Sequence, residues 1–261
     1  MSPTPQRSRT QSGTAFVEAG AGEPLVLIHG VGMRLEAWAP QMAALSRTHR
    51  IVALDMPGHG ESAPLAEGSA LPAFVAWLAR VLDELRIEAA NVAGHSMGAL
   101  IAGGAAATLG SRVRRVALLN GVYRRTPDAR EAVLHRAREI AAGGVDLEAP
   151  LRRWFGDDPE TEDAYRLTRG WLSGVDPAGY ATAYAAFAGG DETYADAWAD
   201  VHCPALFMTG DGDPNSTPAM AEAMAEAAPR GEAVTIRGHR HMVNLTAPDE
   251  VNGHLVRWLQ R

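Results

Sequence analysis

Gly94-His95-Ser96-Met97-Gly98 sets a serine between two glycines, each two residues away. The short apolar stretch Asn91-Val92-Ala93 precedes it, and an alanine- and glycine-rich stretch from Ala99 to Leu109 follows. That order predicts a strand, a sharp turn and a helix, the context in which a serine hydroxyl is lifted clear of a sheet. The helix start behind Ser96 offers free amides and a positive dipole end to a developing anion. A serine hydroxyl is a poor nucleophile without a base, and the base needs an orienting carboxylate. Two histidines, His239 and His241, follow the strand-like Ala233-Val234-Thr235-Ile236. Two aspartates, Asp211 and Asp213, follow Ala205-Leu206-Phe207-Met208. A helix near Pro218 to Ala227 separates these two strands, so in a parallel sheet both strand ends lie on the edge that carries Ser96. The chemistry this allows is nucleophilic attack on a carbonyl, with either histidine as base and either aspartate as its partner.

Rival chemistries are poorly served. His239-x-His241 has the spacing of a metal pair, but no carboxylate or third histidine stands at helical or strand spacing to complete a site, so no metal is expected. Cys203 is the only cysteine, which excludes an intrachain disulfide and a cysteine-cluster metal site; it reads as a small buried apolar residue. All 24 basic residues are arginine. Without lysine there is no Schiff base, no phosphate-loop lysine and no kinase lysine. A net charge of −7 argues against nucleic-acid binding. No apolar run approaches the 18 or so residues of a membrane span. Met1 to Gly13 is polar and unlike a secretory signal, so residues 1–12 are expected to be a loose tail on a cytoplasmic protein.

Six short apolar runs position these groups: the three already named, Leu25-Val26-Leu27-Ile28, Ile51-Val52-Ala53-Leu54 and Val116-Ala117-Leu118-Leu119. Runs of this kind read as strands buried on both faces. Phe74, Trp77, Leu78, Val81, Leu82 and Leu85 form one face of an intervening helix. Alternating strands and helices predict an α/β fold, a mostly parallel doubly wound sheet. The alternation stops between 121 and 200, which holds ten of the sixteen aromatics and no convincing strand. The expected organisation is a core of 13–120 and 201–261 with an inserted helical cap at 121–200. Arg124 and Arg125, where the chain enters that cap, are placed to hold a substrate carboxylate or to be a solvated pair; Arg152 and Arg153 invite the same two readings.

These motifs together resemble the α/β-hydrolase family with a helical cap. His29-Gly30-Val31-Gly32 resembles its oxyanion loop. Asp55-Met56-Pro57-Gly58-His59-Gly60-Glu61-Ser62 resembles a turn of its lactonase, cofactor-free haloperoxidase and carbon–carbon hydrolase members. The resemblance implies Ser96 as nucleophile. It selects Asp213, three residues after the glycine ending its strand, and His241, seven residues before Pro248. It also implies the Met97 and Val31 amides as oxyanion donors, structural roles for His29 and His59, and no cofactor. Trp154-Phe155 and the stretch from Asp176 to Ala181 resemble the 3-oxoadipate enol-lactonase branch. They add Trp154 and Tyr180 to Arg124 and Arg125 as candidate substrate contacts. The implied function is a serine hydrolase cleaving a small ester or lactone. Carbon–carbon hydrolysis, perhydrolysis or acyl transfer by the same triad are the alternatives, and a ligand sensor on the same scaffold is a rival of another class. The partner is a small molecule; nothing in the sequence fixes an oligomeric state.

Overall fold

The fold is seen in a computed structural model, which describes residues 6–144, 146–156 and 161–261. Residues 1–5 of the expected tail, and residue 145 and residues 157–160 of the expected cap, lie outside the described residues. Eight strands form one sheet in the order β1-β2-β4-β3-β5-β6-β7-β8. They are β1 (Ser8–Arg9), β2 (Ala15–Ala19), β3 (Pro24–Ile28), β4 (Arg50–Leu54), β5 (Ala90–His95), β6 (Val113–Leu119), β7 (Ala205–Gly210) and β8 (Gly231–Ile236). Strands β3 to β8 run parallel, while β1 and β2 add an antiparallel edge. The continuous apolar runs are explained by packing on both faces. Val26, Ile28, Val92 and Phe207 join one core, and Leu25, Leu27, Ala93 and Leu206 join the other.

Helices α1 (Ala39–Leu45) and α9 (Pro248–Leu259) cover one face. Helices α2 (Leu71–Glu84), α3 (Met97–Thr108) and α8 (Pro218–Ala227) cover the other. The stripe on α2 is buried as its spacing requires, with Phe74, Trp77, Leu78, Val81 and Leu82 all in the core. Among the described residues no helix is long and apolar enough to cross a membrane. Between β6 and β7 stand α4 (Pro127–Ala141), α5 (Glu148–Phe155), α6 (Glu162–Ser173) and α7 (Pro177–Ala188), so the fold carries an inserted helical cap. The seat of α7 is set by two glycines. A Cβ at Gly58 would lie 2.5 Å from the Gly179 Cα, so the turn after β4 and the first turn of α7 touch backbone to backbone.

The tail is a correction to the sequence reading. Arg7 pairs with the buried carboxylate of Asp55 and, at 2.5 Å, with Glu36, while β1 pairs with β2. The described part of 1–12 is thus pinned to the turn after β4, because a buried carboxylate demands a charge partner.

Candidate active site

Ser96 sits between β5 and α3 at φ 55° and ψ −113°, a conformation costing of order 1–3 kcal/mol for a residue with a Cβ. The flanking glycines are compelled by contact. A Cβ at Gly94 would fall 1.9 Å from the Gly98 carbonyl oxygen, and one at Gly98 would fall 2.1 Å from that of Ile28. Strand, turn and helix are therefore locked at distances only glycine permits. The loop 29–32 lies against this turn, since a Cβ at Gly30 would meet the Ser96 Cβ at 3.0 Å. Among the described residues, the Met97 and Val31 amides donate to no protein acceptor. The Met97 amide belongs to the unsatisfied first turn of α3.

The loop is braced by two buried histidines. His29 accepts from the Met56 amide at Nε2 (2.9 Å), and its Nδ1 donates to the Gly30 carbonyl (2.8 Å). His59 accepts from the Gly32 amide at Nε2 (3.0 Å) and donates from Nδ1 to the Pro57 carbonyl. Burial pushes both imidazoles down, His29 to about 4 and His59 to about 3, so each is neutral and holds one tautomer.

The ambiguous pairs separate cleanly. His241 Nδ1 donates to Asp213 Oδ2 at 2.7 Å, with both side chains buried. That leaves His241 Nε2 as the nitrogen able to take a proton. His239 instead bonds Thr246 Oγ1 at 3.0 Å, and Asp211 accepts from the Gly238 amide at 2.9 Å near the surface. Asp213 also accepts from Asn120 Nδ2 (2.9 Å) and the Asn215 amide (2.8 Å). Burial alone would raise the Asp213 carboxyl. The His241 imidazole and these two donors outweigh it and hold the group below the usual carboxylate range.

Asn120, fully buried at the end of β6 with φ 50°, escaped the sequence reading. Its Nδ2 also reaches Thr209 Oγ1 and the Arg240 carbonyl, so it ties β6, β7 and the loop carrying His241 together. The only signal was its type, since asparagine tolerates the left-handed region directly after a strand. His95, inside the serine motif, was likewise overlooked. Its Nε2 donates to the His241 carbonyl at 2.7 Å, and burial pushes it down to about 3.

Ser96 and His241 line one cavity of about 480 Å³ with Val31, Trp154, Pro214, Asn215, Phe187, Tyr184, Met220 and three arginines, Arg125, Arg136 and Arg153. Among the described residues, no hydrogen bond within 3.5 Å joins the Ser96 hydroxyl to His241; such contacts often tighten only when substrate is bound. Trp154 stacks on His241, ring centroids 6.0 Å apart, and its carbonyl accepts from the His241 amide at 3.2 Å.

Two of the expected contacts, Arg124 and Tyr180, do not line this cavity. Arg124 is half exposed, with a φ of 43°, and pairs with Asp196 on the surface. Tyr180 is buried beside Tyr184 and opens on a smaller adjoining cavity instead of the one with Ser96. Arg125 is brought to the site. It is buried, stacked 4.5 Å over the Phe187 ring and paired with Asp191 at 3.1 Å.

The chain resembles known proteins over most of its length. Residues 25–254 match the alpha/beta hydrolase family. The chain is 50% identical over 245 residues to an Acinetobacter baylyi protein named (E)-2-((N-methylformamido)methylene)succinate hydrolase, covering 94% of this chain and 93% of that one. It is 31% identical to 3-oxoadipate enol-lactonase 1 of the same organism, over 74% of this chain and 72% of that one. Among solved structures, the enol-lactonase from Burkholderia xenovorans superposes with a TM-score of 0.88 at 27% identity, covering 98% of this chain and all of that one. The chain is an enzyme of the hydrolase class and belongs to the alpha/beta hydrolase family.

Proposed function

We propose that the protein is a serine hydrolase that opens an acyl bond of a small carboxylated substrate through an acyl-enzyme. The observation that carries this is the strained Ser96 sharing a cavity with His241, whose Nδ1 is held at 2.7 Å by buried Asp213. In this reading Ser96 Oγ attacks the carbonyl carbon as its proton passes to His241 Nε2. The Met97 and Val31 amides receive the oxyanion. The imidazolium, stabilised by Asp213, returns the proton to the leaving atom, and water attacks the acyl-enzyme by the same route.

The bond class divides the support. Similarity to enol-lactonases favours an ester or lactone. The 50% identical relative favours an amide, since its name describes a substrate with a formamide group and the two carboxylates of a succinate. Near-complete coverage of that relative makes the amide the stronger reading. In this reading Arg125, one of three arginines lining the cavity, holds a substrate carboxylate.

The test is steady-state turnover of p-nitrophenyl acetate, an enol-lactone and an N-formyl enamide of a dicarboxylate. The enamide should give the highest kcat/KM, and Ser96→Ala should abolish turnover of all three. Turnover that survives in Ser96→Ala would remove the serine mechanism. Preference for the lactone would restore the ester reading.

A further inference from the structure

Three arginines line the Ser96 cavity, and none of the described residues lining it is acidic. Arg125 has its counter-charge in Asp191, although its Nη2 is buried without a hydrogen-bond partner. Arg136 and Arg153 differ. They come from separate helices of the cap, α4 and α5, and meet at the cavity wall. Arg136 makes one side-chain hydrogen bond, from Nη1 to the Tyr184 hydroxyl at 3.1 Å. Among the described residues Arg153 makes no hydrogen bond or ion pair, and its Nε is buried without a partner. Glu139 and Asp146 border a smaller cavity of about 230 Å³ on the other side of this arginine wall. Neither pairs with these arginines. Glu139 lies 3.5 Å from His135, and Asp146 accepts from the Glu148 and Ala149 amides at the start of α5.

Among the described residues these two half-buried cations face each other with only the more distant charge of Asp146 to offset them, an arrangement that is costly unless something anionic joins them. Burial and the nearby Arg136 charge press Arg153 toward its neutral form and outweigh the opposing pull of Asp146, against the arginine habit of staying charged. A planar carboxylate supplies the missing acceptors for both forks. We propose that Arg136 and Arg153 form a second carboxylate subsite, so that the cavity takes a dicarboxylate, one end at Arg125 and the other at this pair. The assignment rests on the serine-hydrolase reading for what is done to that substrate, but not for how it is held.

The test is calorimetric titration of the full-length protein with malonate, succinate, glutarate and adipate, and with butyrate as the single-carboxylate probe. At least one dicarboxylate should bind tenfold or more tighter than butyrate, the scale of a charge-assisted contact. Arg136→Gln and Arg153→Gln should each remove most of that gain, with butyrate affinity changing by less than about threefold. Arg153→Lys should recover part of it. Equal binding of dicarboxylates and butyrate by the unaltered protein would overturn the proposal, as would a gain that persists in both glutamine variants. Fluorophosphonate labelling of Ser96 is read in parallel. Failure of labelling with the dicarboxylate gain intact would sink the serine mechanism and leave the subsite standing. Labelling without the gain would do the reverse.

Discussion

Replacing Asp213 by asparagine preserves shape and removes one charge, and the surroundings make the consequence calculable. Asp213 Oδ2 accepts from His241 Nδ1 at 2.7 Å and from Asn120 Nδ2 at 2.9 Å, while Oδ1 accepts from the Asn215 amide at 2.8 Å. Every neighbour is a donor, so the new amide NH₂ meets a donor whichever way it is placed. Facing Asn215, it strands a buried amide, at about 1–3 kcal/mol. Facing His241, it makes Nδ1 an acceptor and moves the imidazole proton to Nε2, where it blocks uptake of the serine proton. Loss of the correct tautomer, together with the charge that stabilises the imidazolium, predicts a fall in kcat of roughly 10⁴-fold, about 5 kcal/mol of barrier. Stability should fall by only about 1–3 kcal/mol, so the variant stays folded. Asp211→Asn is the matched control, because that carboxylate is exposed and, among the described residues, accepts from the Gly238 amide alone. Turnover of p-nitrophenyl acetate and urea denaturation of both variants decide the matter. A loss under tenfold for Asp213→Asn, or equal losses for the two, would refute the assignment of Asp213 as the group that orients His241.

His241→Ala should cost roughly 10⁴-fold or more in kcat and His239→Ala no more than about tenfold; steady-state kinetics showing the opposite order would reassign the base. Asn120→Ala removes one of three donors to Asp213 and a tie between β6 and the His241 loop, so kcat should fall about 10- to 100-fold with KM nearly unchanged, and a pure KM effect would contradict a positioning role. His29, His59 and His95 are buried with values pushed down to about 4, 3 and 3, so the unfolded chain takes up protons that the native one refuses. Stability should therefore be full above about pH 6.5 and be lost as pH falls toward 4, by up to about 4 kcal/mol per pH unit if all three contribute. Urea denaturation at pH 7, 6 and 5 measures that slope, and a flat profile would mean that these imidazoles are protonated in the fold. Arg124→Ala should leave the binding of carboxylates unchanged, as measured by the same calorimetric titration, because the side chain lies on the surface beside Asp196.

The parallel strands could be read from sequence because burial on both faces leaves an unbroken apolar run, as in β3, β4, β6 and β7; β8 contains its apolar run too, but as an edge strand it is only partly buried. The antiparallel edge left no such trace. Ser8–Arg9 is a polar pair whose strand conformation depends on β2 and on Arg7 reaching Asp55, a partner 48 residues away. Nothing local encodes that contact. The glycines were legible in kind but not in reason. Gly179 fell within a stretch noted for resemblance, and only the fold reveals that it is a glycine because Gly58 presses against it.

The site divides along the same physical line. Ser96, Asp213 and His241 stand at the ends of strands, where a sheet must bring them to one edge, so spacing and order suffice to nominate them. The cap offers no such register. Arg124 and Arg125 are neighbours in the chain, yet one lies on the surface beside Asp196 and the other is buried against Phe187 and Asp191. Arg136 occupies a helix surface where an arginine ordinarily meets water. It becomes a wall of the cavity only because α4 packs on α7, which supplies the Tyr184 hydroxyl it bonds, while Arg153 arrives from α5. On the proposed reading, the reaction type is written in local motifs, whereas the selection of substrate is written in contacts between helices. A cap exchanged among members of the family would therefore carry its preference for charge with it and leave the chemistry at Ser96 unchanged.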